Sequence, residues 1–152
     1  MAPTLFVDAD ACPVKEEVYK VARRTGCGVK VVANSFIRTP PDVTFVAVEA
    51  GADAADDWIA DQAEAFDIVI TNDIPLASRA LAKGALALAP TGKPFTPASI
   101  GAALAGRDIM EHLRSMGEGQ GGPKPFSAAD RSSFLNALDA AVTRAKARRK
   151  GG

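Results

Sequence analysis

Leu5-Phe6-Val7-Asp8-Ala9-Asp10 and Ile68-Val69-Ile70-Thr71-Asn72-Asp73 are the two stretches of sequence that decide the fold. Each opens with apolar residues that do not alternate with polar ones, as in a strand buried on both faces of a parallel sheet. Each ends in an acid and is soon followed by a proline, Pro13 or Pro75, which is typical of the first turn of a helix. We therefore expect strand–helix units and an α/β fold.

The acids of both stretches fall at the carboxyl ends of predicted strands, which is where open α/β sheets bind their ligands. A third group, Asp53, Asp56 and Asp57, lies between them in the sequence at helical spacing. Carboxylates that converge on one cleft repel one another unless a cation or protons neutralise them. Bound Mg²⁺ or Mn²⁺ and a phosphate substrate would explain such a cluster.

The rest of the chain continues the alternation of strands and helices. We predict strands at 5–7, 29–33, 43–48, 67–71 and 86–88. We predict helices at 13–24, 53–65, 75–83, from 96, at 108–115 and at 127–150. Gly26 is expected to end the first of these helices, and Gly84 to be the C-cap of the third. Phe66 is expected to be buried on the apolar side of the second. Right-handed crossovers between these strands predict a three-layer sandwich around a mainly parallel central sheet of about five strands.

The domain organisation is predicted to be simple. A chain of 152 residues is long enough for one domain with a buried core. Residues 3–115 are expected to form the α/β core, 117–126 a glycine- and proline-rich loop, and 127–150 a C-terminal helix with a basic tail. Ser127 and Asp130 resemble a capping box at the start of that helix, with Asp in place of Glu.

Charge is unevenly distributed along the chain, although the formal net charge is zero. Residues 1–73 hold 13 acids and 6 bases, whereas residues 74–152 hold 5 acids and 12 bases. An acidic half that binds a cation and a basic half that binds a polyanion would suit a nuclease. The simpler interpretation of the basic tail is a solvated helix end, where cations also favour the helix dipole.

Several polar and basic residues have the right chemistry for a phosphate or a nucleic-acid backbone. Each of them also fits an ordinary loop or surface position. The candidates for substrate binding are Lys15, Asn34, Ser35, Arg38, Thr71, Arg79 and Lys124.

Apolar runs, the N-terminus and the cysteines indicate the cellular compartment. No apolar run approaches the roughly 20 residues of a membrane span, and the N-terminus does not resemble a signal peptide, so we expect a cytoplasmic protein without a membrane partner. Cys12 and Cys27 are too far apart in sequence for a CxxC motif, which favours a reducing compartment. Cys12 precedes a predicted helix, so it is either a stabilised thiolate or a small packed side chain.

Several stretches resemble the YaiI/YqxD family of small bacterial proteins, and together they cover most of the chain. The matching stretches are Val7-Asp8-Ala9-Asp10-Ala11-Cys12-Pro13-Val14-Lys15, Ala33-Asn34-Ser35, Gly51-Ala52-Asp53-Ala54-Ala55-Asp56-Asp57-Trp58-Ile59, Asp67-Ile68-Val69-Ile70-Thr71-Asn72-Asp73-Ile74-Pro75-Leu76-Ala77, Gly121-Gly122-Pro123-Lys124-Pro125-Phe126 and Asp130-Arg131. The resemblance implies a PIN-like fold, related to the PIN and NYN nuclease domains.

The PIN-like resemblance implies a metal-dependent ribonuclease. Asp8 matches the acid that ends the first strand, Asp56 the acid of a helix motif Asp-x-x-Ile-Ala, and Asp73 the acid of Thr-x-Asp. These three would be catalytic and would bind Mg²⁺ or Mn²⁺ directly, while Asp10, Asp53 and Asp57 would bind directly or through water. The simpler roles are helix N-caps for Asp8 and Asp73 and a solvated helix face for the others. Many PIN domains have a further acid shortly after the position of Asp73, and this chain does not.

Two alternatives remain open at this point. The opening of the chain also resembles haloacid-dehalogenase-like phosphatases, with Asp8 as nucleophile, Asp10 as general acid and Thr71 in the second motif. The order of the motifs then fails, because Asp56-Asp57 precedes Thr71 and no later strand is followed by an acidic pair. The other alternative is a catalytically silent module that binds nucleic acid or a protein partner.

Overall fold

The computed structural model describes residues 2–9, 12–49, 54–102, 105 and 126–151 of the chain. In order, they form β1 (Thr4–Asp8), α1 (Lys15–Thr25), β2 (Gly28–Ala33), β3 (Thr44–Ala47), α2 (Ala54–Gln62), β4 (Ile68–Ile70), α3 (Ile74–Ala82), β5 (Leu86–Leu88), α4 (97–102) and α5 (Ala128–Gly151). The predicted helix at 108–115 and almost all of the predicted loop at 117–126 lie outside the described residues.

The strands form one five-stranded sheet in the order β3-β2-β1-β4-β5, and every neighbouring pair is parallel. Val7 of β1 pairs with Val31 on one side and with Ile70 on the other, so β1 is the central strand. The prediction of an α/β sandwich with about five mainly parallel strands is confirmed.

Both faces of the sheet are covered, which explains why the strand sequences lack alternation. Leu5, Val7 and Ile70 point to the face covered by α1 and α5, whereas Phe6 and Val69 point to the face covered by α2 and α3. Residues 68, 69 and 70 are all fully buried. At roughly 1.5–3 kcal/mol for each large apolar side chain, this burial is the main stabilising contribution to the sheet.

The C-terminal helix α5 is held at both ends. At its start, the backbone N–H of Ser127 donates to Asp130 Oδ2 at 3.0 Å, and the N–H of Asp130 donates to Ser127 Oγ at 3.1 Å, so the predicted capping box is present. Further along, Lys146 Nζ donates to the carbonyl of Thr25 at the end of α1. Part of the basic tail therefore stabilises a neighbouring helix end.

The predicted end of α1 agrees with the structure, α3 ends at Ala82 and is capped by Lys83 rather than by the predicted Gly84, and the predicted end of α2 was wrong. Gly26, at φ +75°, follows α1 and its N–H donates to Ala22 O at 2.8 Å, as in a left-handed helix cap. The helix predicted at 53–65 ends at Gln62. Phe66 lies beyond it with a positive φ of 69° and packs against the core on the α1 and α5 face, so its predicted place on α2 was wrong.

Among the described residues, no helix combines the length and the apolar character that crossing a membrane requires.

The loop after β5 makes a close approach to α5 at Gly92. Its φ is +93°, and a Cβ built there would lie 2.7 Å from the carbonyl oxygen of Ser133. We expect Gly92→Ala to lower the free energy of unfolding by about 2–4 kcal/mol, because it adds a backbone clash to an unfavourable φ. Urea denaturation followed by circular dichroism measures this effect.

The matched control is Gly101→Ala, whose new Cβ meets nothing within 4 Å. Its stability should stay within about 1 kcal/mol of wild type. Equal effects of the two substitutions would contradict the close approach of the loop to α5.

Candidate functional site

The carboxyl edge of the sheet has one topological switch point, between β1 and β4. From β1 the chain proceeds to β2 and β3 on one side, and β4 and β5 lie on the other side. Open α/β sheets bind ligands in the crevice that this reversal creates. Asp8 is the last residue of β1, and because Val7 pairs with Ile70, Thr71 lies beside Asp8 at the end of β4.

A chain of hydrogen bonds connects the residues at this switch point. Thr71 Oγ1 donates to Asp8 Oδ2 at 2.8 Å and accepts from the backbone N–H of Asp73 at 2.9 Å. Asp73 Oδ1 accepts from the N–H of Leu76 at 2.8 Å. Thr71 is 1% exposed, so a buried hydroxyl orients the Asp8 carboxylate, which is itself partly exposed.

Asp73 is the N-cap of α3, as one of its two predicted roles requires. The cap uses one carboxylate oxygen, and a carboxylate has about four acceptor positions, so capping and binding a cation are compatible. Asp8 is not the cap of α1. The N-cap position of α1 is Val14, which makes no side-chain capping bond.

The acids of α2 lie at the same edge and over the same face of the sheet. Asp56 and Asp57 are in the first turn of α2, which packs against Phe6 of β1 and Val32 of β2. Phe6 and Asp8 point to one face, because residues two apart in a strand do so. Asp56 is partly buried, whereas the side chain of Asp57 is 65% exposed.

Two of the predicted site residues pair with each other. Arg79 of α3 donates from Nη1 to Asp57 Oδ1 at 2.8 Å, and both side chains are about half exposed or more. An ion pair in that setting contributes little to stability but links the two helices at the edge. The pair borders an open cleft of about 650 Å³, which is lined by Ala47, Val48, Glu49, Ala54, Asp57, Trp58, Asp61 and Arg79.

The donor chemistry of this edge suits a hard cation, since it consists of carboxylate oxygens. Within the described residues, however, no three His, Cys, Asp or Glu side chains form a group that could hold a metal ion. Two of the predicted ligands, Asp10 and Asp53, lie outside the described residues, as does Lys124. The predicted ligand set therefore stays a prediction.

The other predicted substrate contacts fall in two places. Lys15 begins α1 and donates from Nζ to the carbonyl of Cys12 at 2.9 Å. Asn34 and Ser35 directly follow β2, at the same edge as Asp8, because Asp8 pairs with Val32. Asn34, Ser35 and Arg38 are exposed.

Cys12 is a buried side chain rather than an activated nucleophile. It is 6% exposed and packs in the core on the α1 face. Burial raises the pKa of its thiol, because the thiolate loses its hydration there. The neutral thiol is therefore its favoured form.

Sequence reasoning assigned no role to Arg131, although it belongs to a stretch that matches the family. Arg131 Nη1 donates to the carbonyl of Pro13 at 2.9 Å and to Glu17 at 3.2 Å, and its guanidinium lies 5.1 Å from the centre of the Phe126 ring. It thus connects α5 to the turn that follows β1. Its position next to Asp130 of the capping box was the available signal, but the partners lie more than 100 residues away.

Comparison with known proteins gives a family but no solved fold. Residues 6–144 match the family model described as "Uncharacterized BCR, YaiI/YqxD family". A "UPF0178 protein" of Sphingopyxis alaskensis is 63% identical over 148 residues, covering 95% of this chain and 96% of the relative. Proteins of the same name from Rhodopseudomonas palustris (strain BisB18) and Caulobacter sp. (strain K31) are 58% and 60% identical, and each alignment covers at least 93% of both chains. No solved structure matches the chain significantly.

Removal of the Thr71 hydroxyl should destabilise the switch point. Thr71→Val removes the hydroxyl that donates to the partly buried Asp8 carboxylate and that accepts from the Asp73 N–H. We expect a loss of about 1–3 kcal/mol in the free energy of unfolding, measured in urea. Thr71→Ser retains the hydroxyl and should lose clearly less. An equal loss for both variants would indicate that packing of the methyl group, rather than the hydrogen bonds, is decisive.

Substitutions at Asp73 separate its capping role from its charge. Asp73→Ala removes the cap of α3 and should cost about 1 kcal/mol, whereas Asp73→Asn should stay near wild type because Asn caps helices equally well. Thermal and urea unfolding of both variants measure the difference. A large loss of stability in Asp73→Asn would show that the negative charge itself is structural.

Proposed function

We propose that this chain, which belongs to the YaiI/YqxD family, is a metal-dependent nuclease that hydrolyses RNA phosphodiester bonds at the carboxyl edge of its sheet. The observation that supports this most strongly is the hydrogen-bonded chain from Asp8 through Thr71 to Asp73 at the topological switch point. It orients a carboxylate at the place where this class of sheet binds ligands.

In this proposal the ligands of one or two Mg²⁺ or Mn²⁺ ions come from the three elements that meet at the edge. Asp8 ends β1, Asp73 precedes α3 and Asp56 lies in the first turn of α2. Asp10, Asp53 and Asp57 would complete the set directly or through water. When bound, such ions lower the pKa of a water molecule and neutralise charge on a scissile phosphate.

The protein's own groups have separate tasks in this mechanism. Thr71 keeps the Asp8 carboxylate in one orientation through its 2.8 Å hydrogen bond. Arg79, paired with Asp57 at the border of the cleft, presents further donors toward a phosphate. Asn34 and Ser35 supply neutral hydrogen-bonding groups at the end of β2. The preference for RNA over DNA follows from the resemblance to PIN and NYN domains.

A catalytically silent nucleic-acid-binding module is the second candidate. It is favoured by the lack of any three-carboxylate group among the described residues. The sequence also has no acid in the run Ile74-Pro75-Leu76-Ala77-Ser78 after Asp73. Such a module would keep the fold and the binding surface but would cleave nothing.

The test combines Mn²⁺ titration calorimetry with cleavage of a labelled single-stranded RNA. We expect Asp8→Asn to abolish both Mn²⁺ binding and cleavage while the chain stays folded, because the amide cannot replace the charge that a divalent ion requires. The matched control is Asp139→Asn, the same change at an exposed aspartate on α5 that pairs with Arg24. It lies on the other face of the sheet and should leave both activities unchanged.

Each result has a distinct meaning. Cleavage without Mn²⁺ or Mg²⁺, or wild-type affinity in a folded Asp8→Asn variant, would overturn the proposed site. Metal binding without cleavage by wild type would favour the silent module. Hydrolysis of a phosphomonoester in place of RNA would instead favour the phosphatase alternative.

A further inference from the structure

Phe36 stands out on the surface of the described residues. It is 83% exposed and is the large hydrophobic side chain that they leave in solvent. A single exposed apolar side chain is ordinary on a protein surface. This ring, however, is held in place, because it packs against the Phe45 ring in a T-shaped arrangement with centroids 5.8 Å apart. The Phe36 ring is therefore exposed to solvent and at the same time held by its contact with the Phe45 ring.

The residues around Phe36 have the chemistry of a nucleic-acid contact. Asn34, Ser35 and Arg38 in the same loop are all exposed. Within the described part of the chain, Arg38 makes no ion pair, and the run 34–41 contains no acid. The first acid after it is Asp42, whose carboxylate binds Arg23 at 2.9 Å, a hydrogen bond that lowers the pKa of Asp42.

The loop extends from the candidate site to the outer strand. Asp8 pairs with Val32 of β2, so Asn34 and Ser35 begin just beyond Asp8 on the neighbouring strand. Phe45, which supports Phe36, pairs with Val31 of the same strand. Phe45 packs against the core on the α1 and α5 face, so Phe36 lies over that face, whereas Asp8 points to the face of α2. Asn34 and Ser35 lie between them at the carboxyl edge, so a strand that contacts both Asp8 and Phe36 crosses the edge there.

We propose that residues 34–38 bind the single-stranded nucleic acid that enters the candidate site, with one base stacked on Phe36 and Arg38 against a neighbouring phosphate. The inference rests on the proposed function and specifies its substrate class. Stacking on an aromatic side chain requires an unpaired base and tolerates any base, because every base has a π face. A duplex, with its bases stacked inside, gains nothing from Phe36.

Binding is best measured under conditions that exclude cleavage. Fluorescence anisotropy of a labelled oligouridylate with the full chain, in EDTA and again in Ca²⁺, reports affinity independently of hydrolysis. We expect Phe36→Ala to weaken binding about 5- to 150-fold, the range that loss of one stacked base predicts. Phe36→Trp should bind at least as well as wild type, and a blunt duplex should bind equally to all variants.

Two controls separate stacking from other contacts. Phe36→Leu keeps most of the apolar surface without the π face, so it should bind as weakly as Phe36→Ala. When an abasic site is moved along the oligonucleotide, it should lower the affinity of wild type at one position only. At that position it should not lower the affinity of Phe36→Ala any further. Arg38→Ala should weaken binding. It should also reduce the slope of log affinity against log salt concentration by about one, as expected for the loss of one phosphate contact.

The outcomes distinguish this inference from the proposed function. Affinity of Phe36→Ala within about twofold of wild type would overturn the inference, even if the chain cleaves RNA. Full binding by Phe36→Leu would also overturn it, because it would show that apolar contact without stacking is sufficient. Phe36-dependent binding without cleavage in any metal would uphold it and identify a silent single-strand-binding module.

Discussion

The parallel pairing of β1 with β2 on one side and β4 on the other is the constraint on which the rest of the structure depends. It makes β1 a central strand, and the apolar run Leu5-Phe6-Val7 can be stable there only because helices cover both faces. Since the connections that leave the two sides diverge, the same pairing opens the crevice at Asp8. Core packing and the location of the candidate site thus have one cause.

Thr71 connects the end of β1 to the start of α3 through hydrogen bonds of its side chain. Its side chain has a single hydroxyl, which donates to Asp8 and accepts from the backbone N–H of Asp73. The strand end and the start of α3 are therefore coupled through one buried oxygen. In the proposed nuclease, this coupling sets the relation between two of the acids before any substrate arrives.

Local patterns in the sequence predicted most of the fold, because they report on burial and on helix ends. The apolar runs identified all five strands, and Ser127 with Asp130 identified the start of α5. The length of α2 was overestimated, because the apolar spacing continues to Phe66 although the backbone turns to a positive φ there. The link from Arg131 to Pro13 joins residues that lie far apart in sequence, and no local pattern encodes such a contact. The metal site stays a prediction, since Asp10 and Asp53 lie outside the described residues.

The packing of α5 against α1 determines when the hydrophobic core is completed during synthesis. Arg24 and Asp139, which join the two helices, are 115 residues apart, and Phe134 and Leu138 complete the core beneath them. During synthesis the apolar face of β1 and α1 stays uncovered until α5 has emerged from the ribosome. Nascent chains therefore expose this part of the apolar core until translation is nearly complete.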